Sequence, residues 1–395
     1  MSAGATTATR YGPGMPDDVV DLLVDLVRIP SLNPEGHPGA DCAHTGEERI
    51  ARYVGDFLSG LGADVHYEEV APLRPNVVGR FPTRREPTAR VLFAPHLDTV
   101  GVAGMRVPPF AGEIDGGRLY GRGACDTKGS MAAMLWALRE WRASSPDPST
   151  EITFVGLMGE ETGQPGSIDF GARHPGAYDF AVVGEPTEGR IVHAHKGCSW
   201  IDLAVPGRAA HASTPHLGSN AIVAAARLVL ALETSFRASL EERFADPLLG
   251  VPTLNVGEIR GGTRPNIVPD RALMTIDLRT TPALEQADPV RVVNAFLDQI
   301  ENLTGRVHVY AQPAARSLHT PADHPFVRRL AEATGAPLDT APWFCDAAHL
   351  AAAGIPAVAA GPGSIAQAHT EDEWIALDAL EDGVAFYRRF LEALA

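Results

Sequence analysis

The stretch VLFAPHLDTV, residues 91–100, joins a short apolar run to two polar side chains. Residues 91–94 have the length and composition of a strand buried on both faces, and His96 and Asp98 follow where that strand would end. The same arrangement recurs in ITFVGLMGEE, residues 152–161. Polar residues that directly follow buried strands are typical of an α/β sheet whose carboxyl edge carries a functional site.

Further apolar runs alternate with helical patterns, which predicts an α/β sheet covered by helices on both faces. The predicted strands are 77–81, 91–94, 152–157, 181–183 and 357–360, and the predicted helices include 19–27, 45–61 and 131–141. At the start of the second helix, Thr45 and Glu48 have the spacing of a capping box.

The order of predicted strands and helices changes between residues 197 and 310. The predicted order there is strand 200–205, helix 220–232, strand 253–259, strand 272–279, helix 289–303 and strand 307–310. This β-α-β-β-α-β order is the split βαβ, ferredoxin-like pattern. We therefore predict two domains: a catalytic α/β domain formed by residues 1–196 and 311–395, and a small α+β domain, 197–310, inserted into it.

Composition excludes several classes of protein. A chain of 395 residues with 45% hydrophobic and 21% charged residues can bury an extensive core. The net charge of -16, without a basic run, argues against nucleic acid as a partner. The sequence contains no apolar stretch of about 18 residues, the length that would predict a membrane-spanning segment. The four cysteines, Cys42, Cys125, Cys198 and Cys345, form no C-x-x-C pair, which favours a reducing cytoplasm.

Five short polar clusters follow predicted strands or lie in glycine-rich turns. They are His96-Leu97-Asp98, Gly123-Ala124-Cys125-Asp126, Gly159-Glu160-Glu161, Gly184-Glu185-Pro186-Thr187 and Gln367-Ala368-His369. Because the carboxyl ends of parallel strands share one edge of a sheet, one pocket could hold all five. Two imidazoles with several carboxylates and no thiolate suit zinc, and also cobalt or manganese.

The number of ligands predicts two divalent ions. A pair of metal ions needs a bridging carboxylate, and each ion then takes one imidazole and one further carboxylate. With Asp126 as the bridging carboxylate, the remaining predicted ligands supply one imidazole and one carboxylate to each ion. His96 and Glu185 would bind one ion, and His369 and Glu161 the other.

Two acidic residues are then left for supporting roles. Glu160, adjacent to a ligand but not needed as one, would accept a proton from water. Asp98 would receive the second N–H of the His96 imidazole. Plainer interpretations stay open at this point, because Asp126 could cap the following helix and Glu185 could be an ordinary loop carboxylate.

The chain resembles the M20 family of metallopeptidases and deacylases. The matching stretches occur in the family's order, from about residue 17 to the end of the chain. They are PHLDTV (95–100), LYGRGACDTKGSMAAML (119–135), GEETG (159–163), VVGEPT (182–187), HKG (195–197), GRAAHAS (207–213), GGTRPNIVPD (261–270), DLR (277–279) and GPGSIAQAHTEDE (361–373).

This resemblance implies a zinc-peptidase-like catalytic domain with an inserted lid that also forms a homodimer. It implies the same metal ligands, with Glu160 as general base. It further implies that His211 reaches the other subunit's active site and donates to the oxyanion, and that Asn266 and Arg279 bind the substrate carboxylate. An exposed loop histidine and a surface arginine paired with a carboxylate are the alternatives for His211 and Arg279.

Within the family, VVGEPT, AHKG and GPGSIAQAH are most similar to acetylornithine deacetylases. The resemblance implies a hydrolase that cleaves the N-acyl, chiefly N-acetyl, amide of a small amino acid. The alternatives are a dipeptidase or carboxypeptidase of the same family and a deacylase like succinyl-diaminopimelate desuccinylase. The segment Trp343-Phe344-Cys345-Asp346 departs from the deacetylase pattern and leaves the exact substrate open.

Overall fold

The computed structural model describes residues 16–35, 44–145, 148–300, 305–311 and 314–394. Cys42 lies outside these ranges. The strands are β1 (Asp64–Ala71), β2 (Arg74–Phe81), β3 (Ala89–Pro95), β4 (Glu113–Asp115), β5 (Arg118–Tyr120), β6 (Thr150–Gly156), β7 (Phe180–Gly184), β8 (Ile191–His195), β9 (Gly197–Pro206), β10 (Thr253–Gly261), β11 (Arg271–Thr280), β12 (His308–Ala311), β13 (Leu318–His319), β14 (Leu338–Ala341), β15 (Ala357–Ala359) and β16 (Trp374–Ala376).

The helices lie between these strands and before and after them. They are α1 (Val19–Arg28), α2 (Glu48–Gly60), α3 (Lys128–Ser144), α4 (Pro165–Arg173), α5 (Ala221–Ala231), α6 (Arg237–Phe244), α7 (Pro282–Gln286), α8 (Pro289–Leu297), α9 (Pro325–Thr334), α10 (Ala347–Ala352) and α11 (Leu377–Ala393). In the described part of the chain, no helix has both the length and the apolar character needed to cross a lipid bilayer.

The largest sheet has the order β1-β2-β6-β3-β7-β15-β8-β13, and β14 pairs with β8. Its centre is parallel, because β3 pairs in parallel with both β6 and β7, and β7 pairs in parallel with β15. The carboxyl ends of these four strands therefore meet at one edge. A small antiparallel sheet, β16-β5-β4, lies apart from it.

Both faces of the large sheet are buried, as the uninterrupted apolar runs predict. In β3, Val91 and Phe93 pack into the core shared with α1, α3 and α11. The alternate residues Leu92 and Ala94 pack into a second core on the opposite face, which contains Phe170 of α4. Successive side chains of a strand point to opposite faces, so each central strand joins the two cores. The predicted α/β class is confirmed.

The second sheet is antiparallel, with the order β10-β11-β9-β12. Numbered along the chain, its strands lie in the order 2-3-1-4, with α5 and α6 after the first strand and α7 and α8 after the third, which is the split βαβ arrangement. It has a core of its own, in which Ile276 of β11 packs with Leu228 of α5 and Val293 of α8. The domain boundaries at 196/197 and 310/311 stay a prediction.

Two local predictions were wrong. Helix α8 ends at Leu297, with Asp298 as its C-cap, rather than at residue 303, and residues 301–303 lie outside the described ranges. Helix α2 has Glu47 as its N-cap, whereas the predicted capping box has Thr45 in that position. The Glu47 carboxylate is buried and pairs instead with Arg74 of β2, at 2.8 Å.

Candidate metal centre

The polar clusters meet at the carboxyl edge of the parallel strands. His96 follows β3 directly, and Glu185 follows β7 directly. Glu160 and Glu161 lie in the loop after β6, and Asp126 lies just before α3. Because β3 pairs in parallel with both β6 and β7, the segments that follow these three strands lie side by side. They carry His96, the pair Glu160 and Glu161, and Glu185.

His96 is buried, and each of its ring nitrogens faces an oxygen atom. Its Nδ1 lies 2.9 Å from the main-chain oxygen of Asp98, and its Nε2 lies 3.1 Å from Oδ1 of Asp126. A carbonyl oxygen only accepts, so Nδ1 carries a proton, and in the neutral ring Nε2 has the lone pair of a metal ligand. Burial alone would lower the pKa of His96, but the carboxylates of Asp126 and Asp98 hold this pKa well above its usual value.

Asp126 lies between two imidazoles. Its Oδ1 faces His96 at 3.1 Å, and its Oδ2 lies 3.5 Å from Nε2 of His369. The same nitrogen of His369 is 2.9 Å from Oε2 of Glu161. One ligand atom each from His96, Asp126 and Glu161 lies within 4.8 Å of the others. The carboxylate of Asp126 thus offers one oxygen to each histidine, as a bridging ligand would.

His369 differs from the other members of the cluster in its exposure and its backbone. Its side chain is 54% exposed, and its φ of 63° lies in the left-handed region that side chains other than glycine rarely adopt. Such backbone conformations are concentrated at functional sites. The hydrogen bond that His369 donates to the Glu161 carboxylate is the main cause that raises the pKa of His369.

Asp98 organises the acidic pair rather than the imidazole alone. Its Oδ1 accepts from the backbone N–H of Glu160 at 2.9 Å, and its Oδ2 accepts from that of Glu161 at 3.1 Å. The side-chain amide of Asn33 donates to Oδ2 at 2.8 Å. The Nδ1 of His96 is farther from this carboxylate, at 3.5 Å, than from the main-chain oxygen. Asp98 therefore fixes the loop that carries both glutamates.

Three buried glutamates crowd the same volume. Burial raises the pKa values of Glu160, Glu161 and Glu185, and the charge of Glu185 adds to the effect on Glu160. Oε1 of Glu161 and Oε1 of Glu185 are buried and have no hydrogen-bond partner among the described residues. Buried carboxylate oxygens without a partner call for a cation. The oxygen and nitrogen donors present fit divalent metal ions.

Glu373 supports this cluster, and sequence reasoning missed it. Its carboxylate accepts hydrogen bonds from the backbone N–H groups of Cys125 and Asp126, at 2.9 and 3.0 Å. It also accepts from the N–H of Gly123 at 3.0 Å and from the guanidinium of Arg122 at 2.7 Å. Glu373 thus shapes the loop that presents Asp126. The carboxylate accepts hydrogen bonds from main-chain N–H groups nearly 250 positions away, so no local sequence pattern indicates its role.

Three predicted residues lie outside the cluster. His211 is exposed, with its Nδ1 2.7 Å from the Ser213 hydroxyl. The main-chain oxygen of the exposed residue Asn266 accepts from Ala212 N–H at 3.1 Å, so the segments of His211 and Asn266 are adjacent. Arg279 of β11 pairs with Asp277 at 3.0 Å. We call His96, Asp126, Glu160, Glu161, Glu185 and His369 the metal-centre cluster. Among the described residues, no hydrogen bond or ion pair joins His211, Asn266 or Arg279 to it.

Arg279 nevertheless contacts the segment that precedes α10. Its guanidinium carbon lies 5.3 Å from the centre of the Phe344 ring, over the ring face. Phe344 belongs to the segment that departs from the deacetylase pattern. The sheet β10-β11-β9-β12 and this segment therefore meet at Arg279.

Comparisons with known proteins agree with the fold. The model of peptidase family M20/M25/M40 matches residues 92–393. An acetylornithine deacetylase from Vibrio vulnificus (strain CMCP6) is 29% identical, over 92% of this chain and 94% of its own. A probable carboxypeptidase from Aspergillus clavatus is 31% identical, over 93% of this chain and 86% of its own. The crystal structure of an M20 family metallo-carboxypeptidase from Sulfolobus solfataricus superposes with a TM-score of 0.77 at 18% identity, covering 96% of this chain and 99% of its own.

Proposed function

Because the chain belongs to peptidase family M20/M25/M40, we propose that it is a metal-dependent amidohydrolase that removes an acyl group, chiefly acetyl, from the nitrogen of a small amino acid. The observation that carries the proposal is the position of Asp126, whose two carboxylate oxygens face His96 and His369. The likeness to an acetylornithine deacetylase along most of both chains supports the substrate class.

The proposed cofactor is a pair of divalent ions, zinc before cobalt or manganese. His96 and Glu185 would hold one ion and His369 and Glu161 the other, with Asp126 shared between them. The unpartnered oxygens of Glu161 and Glu185 support this assignment. When bound, the ions would polarise the amide carbonyl and lower the pKa of the attacking water.

Glu160 would move the proton. Its carboxylate would accept a proton from the attacking water and return it to the amine nitrogen as the amide C–N bond breaks, so that one water and one amide give a carboxylic acid and an amine. Burial raises the pKa of Glu160, which makes its carboxylate a stronger proton acceptor.

The inserted sheet would supply the substrate contacts. His211 of one subunit would donate to the oxyanion in the other subunit's site, a contact worth about 3 to 4 kcal/mol. Asn266 and Arg279 would bind the substrate carboxylate. The chain would act in the cytoplasm on small molecules and without a membrane, and its net charge of -16 argues against nucleic acid as a partner.

A homodimer through the inserted sheet is part of the proposal. Strand β10 is at the edge of its sheet, and its Ile259 is 51% exposed. On the neighbouring helix α5, Ile222, Val223 and Leu230 are 41%, 45% and 67% exposed. We call Ile222, Val223, Leu230 and Ile259 the apolar patch. An open strand edge beside exposed aliphatic side chains favours association with a second copy.

The test is a substrate panel with the zinc-, cobalt- or manganese-loaded protein. N-acetylornithine, N-acetyl-lysine, N-acetyl-diaminobutyrate and N-succinyl-diaminopimelate would be compared with dipeptides by release of free amine. We expect N-acetyl substrates to be preferred. In Glu160→Gln, turnover should fall by about 100- to 10,000-fold with unchanged metal content, and the exposed control Glu332→Gln should match the parent. Full turnover in Glu160→Gln would rule out this mechanism.

A carboxypeptidase or dipeptidase is the second candidate. The 31% identical carboxypeptidase relative favours it, and Arg279 could bind the carboxylate of a peptide C-terminus as well as that of an acyl amino acid. A preference for dipeptides over every N-acyl amino acid in the panel would replace the first proposal with this one.

A further inference from the structure

We propose that Gln164 and His349 form a hydrogen-bonded chain that positions the carboxylate of Glu160 for proton transfer. This inference rests on the proposed function of Glu160 as proton acceptor. Neither Gln164 nor His349 would touch the substrate or a metal ion, so both would be positioning residues.

The chain is continuous and largely buried. The amide Nε2 of Gln164 donates to Oε1 of Glu160 at 2.9 Å. Nε2 of His349 lies 2.9 Å from Oε1 of the same amide. Gln164 is 1% exposed and Glu160 is 9% exposed, so water competes little for these bonds. With Oε1 of Glu160 engaged, Oε2 is the oxygen left to receive a proton.

Only one orientation of the amide satisfies both neighbours. The carboxylate of Glu160 accepts, so the NH₂ group of Gln164 must face it and the amide oxygen must face His349. His349 must then donate from Nε2. Burial lowers the pKa of His349 to about 4, so at neutral pH the ring carries a single N–H, and the amide oxygen fixes it on Nε2. Turning the amide over would place oxygen against oxygen at Glu160.

The backbone of Gln164 indicates that its side chain serves this purpose. Its φ of 55° and ψ of 38° are left-handed, a conformation that costs a residue with a Cβ about 1 to 2 kcal/mol and that glycine adopts readily. Gln164 occupies the N-cap position of α4 but makes no side-chain capping bond. A glutamine at this strained position is explained by its bond to Glu160.

A second bond between the same two helices keeps His349 in place. The hydroxyl of Ser167 on α4 donates to Oδ1 of Asp346, the N-cap residue of α10, at 2.5 Å. Gln164 thus bonds to His349, and Ser167 bonds to Asp346, across one helix pair. The donor of His349 is therefore carried by helix α10, whose N-cap is bonded to α4.

The test compares kcat, KM and metal content in the zinc-loaded full chain. Gln164→Met and His349→Leu remove the hydrogen bonds at similar side-chain volume. We expect kcat to fall about 10- to 100-fold in both, with KM within about twofold and metal content unchanged, because a misplaced base slows the chemical step. His349→Gln restores a donor and should recover kcat to within about fivefold of the parent. His174→Leu, which breaks a bond from α4 to Glu68 instead, is the matched control and should leave kcat unchanged.

Each other outcome overturns the inference in a recognisable way. Unchanged kcat in Gln164→Met and His349→Leu, together with an inactive Glu160→Gln, would reject the positioning role alone. Loss of metal in step with kcat, or equal loss in His349→Gln and His349→Leu, would show a purely structural role. Turnover retained by Glu160→Gln would reject the proposed function of Glu160, and the positioning role with it.

Discussion

At the scale of single residues, Glu373 holds the loop of Asp126 without being a ligand itself. Four donors converge on its buried carboxylate, three of them backbone N–H groups. Glu373→Gln removes the charge opposite Arg122 and turns an NH₂ group toward N–H donors. We expect the free energy of unfolding to fall by about 3 kcal/mol and metal affinity to fall with it, as urea unfolding and metal titration would measure.

The control for this substitution is two residues away. Glu371 pairs with Arg106 at 2.7 Å, but both side chains are exposed, at 47% and 75%. Glu371→Gln should therefore cost less than about 1 kcal/mol and leave metal affinity unchanged. Equal losses in the two variants would contradict the role of Glu373.

The strand-end residues could be predicted from sequence because each follows an apolar run that is itself recognisable. His96 and Glu185 come directly after strands, and a parallel sheet needs no further information to bring them together. Gln164 and Asn33 could not be predicted, since each acts through side-chain hydrogen bonds whose partners depend on the folded backbone. In the sequence, a polar side chain that is buried and hydrogen-bonded cannot be distinguished from an exposed polar residue of a loop.

At the scale of elements, the central strands of the large sheet were predicted because they are apolar. The runs at β3 and β6 are buried throughout or nearly so. Strand β1 was missed because it is an edge strand with one buried residue and contains two adjacent glutamates. Strand β8 was missed because two histidines interrupt its pattern. His193 and His195 are buried there with their Nδ1 atoms 2.8 and 2.9 Å from main-chain oxygens.

The apolar patch gives a prediction about helix α5 and strand β10. Leu230→Glu and Ile259→Glu place a charge on the patch without disturbing the core, since both residues are more than half exposed, at 67% and 51%. We expect the parent to have twice the chain mass of 41.9 kDa by light scattering and the variants the mass of one chain. If His211 acts across the dimer, turnover should fall with the mass.

Ile114→Glu is the control, because Ile114 of β4 is 50% exposed but lies outside the patch. It should remain dimeric. A parent protein that is monomeric and fully active would exclude both the dimer and the action of His211 on a second subunit.

At the scale of the whole molecule, two buried histidines should make the fold sensitive to mild acid. Burial lowers the pKa values of His195 and His349 to about 4, from an ordinary value of 6.5. The unfolded chain takes up protons near pH 6.5, whereas the folded chain does so only near pH 4. The unfolded state therefore binds more protons between these values, and the free energy of unfolding falls as the pH falls. Each histidine can contribute roughly 3 kcal/mol to this loss.

Comparison of the parent with His195→Gln isolates one of these contributions. Urea unfolding would be followed at several pH values between 7 and 4.5, without added metal. The carboxylates of the metal-centre cluster titrate in both proteins, so their effect cancels in the difference. We expect the parent to lose more stability than the variant over this interval. His66→Gln, at a histidine whose side chain is 54% exposed, should follow the parent. Parallel curves for the parent and His195→Gln would show that this ring is not held neutral by the fold.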